Sequence, residues 1–389
     1  MNKLLSAVIS AVLLIACVGC AENSEAPESS GEMREITSSE LVSEMKLGWN
    51  LGDTLDVCAA DRDGDGRVNE TPAEGEKVDE TLWGNVKTTP ELFAELKQDG
   101  INAVRIPVTW RDHLGEAPEY KIDEDWLKRV HEVVDYAINE DMYVIINVHH
   151  DGGGDPEFGA WIRNASSDYE EFEVKYTALW KQIAESFRDY SDKLIFESMN
   201  EVGFDDLRRR EGYELLNKIN QLFVDIIRES GGNNAQRHLL IAGYWTDTEM
   251  TCNQMYKLPE DMAADKLMVS VHYYTPWEFC TTNIQQSWGS SGEVSRMKSD
   301  INKLRNTFTD NGVPVIIGEY GTGTGNDASS RIYFAELFTK LCTDAGIPCF
   351  YWDNGGEFDR VNMEWRTEGL NEAMQRAVSG EEYEVVKGS

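Results

Sequence analysis

Two glutamates carry the most specific chemistry in this sequence. Glu201 follows an apolar run at 194–199 through Asn200, and Glu319 follows another at 313–317 through Gly318. At the ends of neighbouring runs stand Arg105, the triplet His149-His150-Asp151, the triplet His272-Tyr273-Tyr274, and Trp352. A lone Glu at a strand end is commonly a solvated loop residue. Two of them, ringed by Arg, His, Asn, Tyr and Trp, fit a reaction in which one carboxyl protonates a leaving oxygen while the other attacks or activates water. Paired carboxylates can also hold a cation, but such sites usually gather more carboxylates or neutral histidines at ligand spacing. His149 and His150 are adjacent, so on a strand they are expected to point to opposite faces and not to share a metal.

These residues need elements to position them. Short β-branched apolar runs recur at 47–51, 103–108, 143–149, 194–199, 238–242, 268–273, 313–317 and 349–352. Between them, apolar residues at i, i+3, i+4 spacing predict helices over 90–99, 124–140, 169–190, 213–230, 294–311 and 330–345. Strands alternating with helices imply a parallel sheet, and eight such units predict an α/β fold of the (β/α)8 TIM-barrel type. A doubly wound open sheet would show a Gly-rich phosphate turn after its first strand, and residues 48–52 (GWNLG) do not supply one. In a barrel the site lies at the C-terminal ends of the strands, where the polar residues above fall.

Charge narrows the partners. The chain has 36 Lys+Arg against 70 Asp+Glu, a formal net charge of −34. That excess argues against nucleic acid as a partner and disfavours an anionic substrate. The start of the chain reads as an export signal over 1–16, with Lys3 before an uncharged apolar run too short to span a bilayer. Leu14-Ile15-Ala16-Cys17 resembles a lipoprotein lipobox, with Cys17 as the lipidated residue and Cys20 as a second candidate. Residues 17–37 are rich in Glu, Ser, Ala and Pro and read as a flexible tether, residues 38–380 as one catalytic domain, and 381–389 as a tail. The expected location is the outer membrane, cell surface or periplasm of a bacterium, with membrane contact only through the lipid, and the expected state is a monomer. Of the remaining cysteines, Cys342 with Cys349 and Cys252 with Cys280 are plausible disulfide pairs, leaving Cys58 over.

The ordered motifs resemble glycoside hydrolase family 5. Gly48-Trp49-Asn50-Leu51-Gly52, Trp83-Gly84-Asn85, VRIPVTW at 104–110 and the Asn200-Glu201 pair are similar to its endoglucanase/xyloglucanase branch, subfamily 4. The resemblance implies a retaining endo-β-1,4-glucanase that needs no cofactor for catalysis. It implies Glu201 as acid/base and Glu319 as nucleophile, the latter held by Arg105 and Tyr274. It implies Asn200 on the sugar 2-hydroxyl, His272 near Glu201, His149 and His150 on the third strand, and Trp352 under the sugar being cleaved. Glu319 is expected to raise the pKa of Glu201 before the first step. Where the branch has Gly-Asn-Thr-Leu, this chain has Gly52-Asp53-Thr54-Leu55, which adds charge and loses a donor.

The 11 Trp beside 13 Phe suit a surface that stacks on sugar rings. Trp110, Trp161, Trp245, Trp277 and Trp288 follow strands, and with Asn50, His150 and Trp352 they form the expected substrate-binding set. The expected partner is a β-glucan polysaccharide: cellulose-type, mixed-linkage or xyloglucan. A mannanase or glucomannanase of the same mechanism, and a surface glycan-binding lipoprotein without activity, are the competing readings. Asp61, Asp63 and Asp65, with Gly66, resemble a calcium loop, but Pro72 stands where its bidentate Glu belongs, so Glu70 or Glu74 would have to substitute. The other reading of that segment is an acidic surface turn.

Overall fold

The computed structural model describes residues 31–60, 71–153 and 159–387. Eight parallel strands close into a barrel in sequence order: β1 (Leu47–Leu51), β2 (Ala103–Ile106), β3 (Tyr143–Ile146), β4 (Leu194–Glu197), β5 (Leu239–Asp247), β6 (Leu267–Tyr273), β7 (Val315–Tyr320) and β8 (Cys349–Asp353). The ring shuts where β1 lies along β8, Leu47 opposite Cys349 and Leu51 opposite Asp353. Nearly every strand position is buried, because one face meets the barrel interior and the other meets helices. That double burial is why the strands read as unbroken apolar runs.

The helices are α1 (Ser38–Glu44), α2 (Pro90–Gln98), α3 (Glu124–Asn139), α4 (Tyr169–Ser186), α5 (Arg209–Glu229), the short α6 (Thr248–Thr251) and α7 (Trp277–Cys280), then α8 (Ser291–Thr307), α9 (Ala328–Asp344) and α10 (Leu370–Ala377). Side-chain oxygens of Asp123, Asp168 and Asp327 accept backbone N–H bonds at the starts of α3, α4 and α9, which fixes where the long helices begin. The helix α1 has a capping box of Thr37 and Glu40. Its Leu41 and Val42, with Met45, pack on Ala103, Ile145, Ile195, Leu240, Met268, Ile316 and Phe350, plugging the end of the barrel opposite the site.

Several boundaries differ from expectation for local reasons. The strand β5 runs on to Asp247 through a register shift after Ala242, where Trp245 and Thr246 both hold left-handed φ values of 52° and 48°. The strand β3 ends at Ile146, so His149 and His150 stand beyond the ladder. The tether is anchored before residue 38: Arg34 donates to Asp192 and Glu44, and Gly31 N donates to Asp189. The tail also packs, with Tyr383 donating to Glu336 at 3.0 Å. Neither expected disulfide is formed; Cys58, Cys252, Cys280, Cys342 and Cys349 are all free thiols. Cys252 faces Thr307 at the end of α8, Cys280 lies beside Tyr273, and Cys342 and Cys349 touch as thiols. Cys17, Cys20 and the aspartates 61, 63 and 65 lie outside the described residues. Among the described residues no helix is long and apolar enough to cross a membrane.

Candidate active site

Arg105 is the hub of the barrel mouth. Its guanidinium is fully buried at the strand-end layer of β2 and spends its donors on four side chains. Nε reaches Glu197 at 2.8 Å, Nη1 reaches Glu319 at 2.6 Å and Asn50 at 3.1 Å, and Nη2 reaches Asn200 at 2.9 Å. Burial opposes the charge, but Glu197 and Glu319 outweigh it and hold the guanidinium above its ordinary pKa. A planar fork of donors that serves several acceptors at once suits Arg and not Lys.

Glu319, on β7, accepts a second hydrogen bond from Tyr274 Oη at 2.9 Å. Burial, Glu319 and Glu201 together push the Tyr274 phenol well above its usual pKa, so it remains a donor. His272, on β6, places Nδ1 2.8 Å from Glu201 and 3.6 Å from Glu319. Oxygens of Glu201 and Glu319 and a ring nitrogen of His272 all lie within 4.8 Å of one another. Glu201 itself is in a left-handed conformation at φ 42°, a strained setting that turns its carboxyl off the end of the strand into the cleft. Its side chain is 39% exposed, whereas that of Glu319 is 7% exposed.

The proton balance of this pair departs from expectation. Burial drives Glu201 upward, but the hydrogen bond and charge of His272, with Arg105, win and hold Glu201 below the ordinary carboxyl range. Burial drives His272 downward, but Glu319 and Glu201 win and raise it. One hydrogen bond between His272 Nδ1 and Glu201 thus lowers the carboxyl and raises the imidazole together. The expectation placed His272 near Glu201 but took Glu319 as the dominant influence, and the imidazole outweighs it.

The structure gathers Arg105, His149, Asn200, Glu201, His272, Tyr274, Glu319 and Trp352 at one barrel end, and it corrects the roles of others. Asn50 is wholly buried and does not face substrate: Oδ1 takes Arg105, and Nδ2 donates to Gly318 O at 2.9 Å. His149 and His150 do not diverge; past the end of β3 their rings meet edge-on at 4.5 Å. His149 lies parallel to Trp352 at 5.9 Å, and Gly52 leaves room for that indole, since a Cβ there would come within 2.7 Å of it. Glu197 escaped sequence reading because it sits inside an apolar strand. A carboxylate in a fully buried run, four positions before Glu201, was the available signal.

The tryptophans divide. Trp110 is fully buried and donates to Asn147 O at 3.0 Å; Trp161 is buried with its indole N–H on Asp151; Trp288 is buried among Phe279 and Phe334. These three are packing residues and not platforms, because each follows its strand into the helix layer. Trp245 is partly exposed, lying on Gly203, where a Cβ would meet the ring at 2.2 Å, with Arg163 4.8 Å from its centroid. Trp277 is 62% exposed and heads α7.

At the other end of the mouth, His150 tilts against Trp83 at 5.6 Å, and Asn354 donates to Asp53 at 3.4 Å. Burial and the neighbouring Asp53 push Asp56 up to about 7. Asp56, His149 and His150 place ligand-type atoms within 4.8 Å of one another. Both Asp56 oxygens already accept backbone N–H bonds, from Thr54 at 2.7 Å and Asp53 at 3.1 Å.

The family model for cellulase (glycosyl hydrolase family 5) matches residues 66–358. Endoglucanase B of Neocallimastix patriciarum is 40% identical over 341 residues, covering 85% of this chain and 68% of that protein. Endoglucanase B of Clostridium cellulovorans is 36% identical over 353 residues, covering 86% of this chain and 74% of that protein. Among solved structures, the subfamily 4 broad-specificity endoglucanase from Ruminococcus champanellensis with bound cellotriose superposes with a TM-score of 0.78 at 35% identity, covering 88% of this chain and 99% of that one. The chain belongs to glycosyl hydrolase family 5.

Proposed function

We propose that the protein is a retaining endo-β-1,4-glucanase in which Glu319 is the nucleophile and Glu201 the acid/base. The observation that carries this reading is the approach of the two carboxylates to within 4.8 Å. Retaining enzymes hold their carboxyl groups about 5–5.5 Å apart, whereas inverting ones leave about 6.5–9.5 Å for a water.

In the first step a Glu319 oxygen bonds to the anomeric carbon while the glycosidic C–O bond breaks. The leaving oxygen takes the proton of the Glu201–His272 pair. Arg105 and Tyr274 hold Glu319 aimed until it attacks. Once Glu319 is an ester its charge is gone, and with it the largest support for the His272 proton. The pair is then ready to take a proton from water, whose oxygen attacks the anomeric carbon and releases Glu319. Asn200 and His149 face the same hollow and offer hydrogen bonds to the sugar, with Trp352 beside them as an apolar face.

The substrate is a neutral 1,4-linked β-glucan. The endoglucanase relatives, the cellotriose bound to the R. champanellensis structure, the net charge of −34 and the open mouth with Trp245 and Trp277 support that choice. The test is reducing-sugar release on carboxymethylcellulose, barley β-glucan, xyloglucan, xylan and glucomannan, with Glu319→Gln as control. Release on the first three, absent in the variant, is expected. Release only on glucomannan, or binding without release, would overturn the glucanase reading. The lipobox-like segment at Cys17 supports an exported, lipid-anchored protein; Cys17→Ser is expected to move the protein from the detergent to the aqueous phase on partition.

A further inference from the structure

We propose that Asn147 is a positioning residue that fixes His149 as the neutral Nε2–H tautomer, so that this histidine meets the sugar as a hydrogen-bond donor. The inference goes beyond the assignment of catalytic carboxylates and rests on the glucanase reading only for the identity of the hydroxyl that receives the bond.

The orientation of the Asn147 amide is over-determined. Asn147 Oδ1 accepts the backbone N–H of Val108 at 3.1 Å. Asn147 Nδ2 lies 3.0 Å from Glu197 Oε2. Rotating the amide by half a turn would set N–H against N–H at Val108 and oxygen against oxygen at Glu197. Both contacts are buried, where an unsatisfied group is costly. The Asn147 nitrogen is therefore the atom facing Glu197, and it has two hydrogens to give.

The second hydrogen points at His149. Nδ1 of that ring is 3.1 Å from Asn147 Nδ2. A donor faces it, so Nδ1 must be the acceptor, and the ring proton is left on Nε2. Protonating the ring would place an Nδ1–H against the amide hydrogen. Burial already works against the cation, as do the positive neighbours His150, Arg105 and His272, and together they hold His149 far below its ordinary pKa. The ring neighbours of His149 are Trp352 and His150, and the Asp56 carboxylate, within 4.8 Å of it, already accepts backbone N–H bonds from Thr54 and Asp53. The backbone oxygen of Asn147 is itself pinned by the Trp110 indole, which explains why that buried tryptophan stands where it does.

The consequence is a division of labour around Glu197. This buried carboxylate accepts from Arg105 and Asn147 on one oxygen and from Ser270 at 2.6 Å on the other. It thus orients the arginine of the nucleophile and the amide that sets the histidine tautomer. Sugar hydroxyls can accept as well as donate, and a fixed Nε2–H selects the poses in which a hydroxyl oxygen faces His149.

The test is nitrogen NMR of the 15N-histidine-labelled full chain, with His149→Gln identifying the signals among six histidines. The expected wild-type spectrum has an unprotonated Nδ1 and a protonated Nε2 for His149, unchanged from pH 5 to 8. A proton on Nδ1, or on both nitrogens, overturns the proposal without any appeal to turnover. In Asn147→Asp the new carboxylate accepts a hydrogen bond from the ring, so the ring proton moves to Nδ1 and kcat/KM falls about tenfold or more. Asn147→Leu removes the donor with similar shape and is expected to give mixed tautomers. A folded variant that keeps the pure Nε2–H signature also overturns the proposal. If the glucanase reading fails instead, wild-type enzyme shows the expected spectrum but releases no reducing sugar from glucans.

Discussion

His272 Nδ1 stands 2.8 Å from Glu201 and only 3.6 Å from Glu319, so one imidazole answers to both carboxylates. Its proton belongs to the group of three and not to any one member.

This arrangement sets the pH profile. His272 is raised above its ordinary 6.5 by Glu319 and Glu201, so the pair keeps its proton below 6.5 and loses it as pH climbs through the raised value. The basic limb of kcat/KM is expected above pH 6.5 for that reason. In His272→Asn the imidazole no longer depresses Glu201, and burial lifts it, but Glu201 must now hold the proton alone. The basic limb then moves to lower pH. An unmoved limb in initial-rate profiles would show that the shared proton is not the catalytic one.

Arg105 is fully buried between two carboxylates. Arg105→Met takes from Glu197 and Glu319 the guanidinium that both bind, which is expected to cost about 3–5 kcal/mol in stability near neutrality. Activity falls by about a hundredfold or more, since Glu319 loses its shortest contact. Urea unfolding at pH 7 measures the first part, and a wild-type midpoint would contradict it.

The tryptophans separate packing from recognition. Trp288 is 2% exposed in the core, so Trp288→Ala is expected to destabilise by about 3–5 kcal/mol with KM little changed. Trp277 is 62% exposed, so Trp277→Ala is expected to raise KM on long glucans with an unchanged melting temperature. Thermal unfolding beside kinetics on polymer and on a short oligosaccharide distinguishes the two, and reversed outcomes would contradict the assignment.

The barrel was legible because each strand is buried on both faces, so that hydrophobic runs mark it directly; β1 falls where its run falls. The site residues were legible because two glutamates and Arg, His, Asn, Tyr and Trp side chains fall together at the ends of such runs. What the sequence concealed are relationships between strands. Asn147 and Glu197 look like ordinary polar residues, and Asn50 like a substrate contact, until β1, β3 and β4 bring them onto Arg105 and His149. The extension of β5 was hidden because a bulge breaks the alternation. The excess of tryptophan could not separate platforms from core, since both follow strand ends. Helix α10 was missed because its short run follows loops and not a strand.

Covalent trapping tests the central claim most directly. Incubation with an activated 2-deoxy-2-fluoro cellobioside should form a stable glycosyl ester with loss of the leaving group, and peptide mass mapping should place one adduct on Glu319. An adduct on another residue, or none despite full turnover of the natural glucan, would contradict double displacement through Glu319.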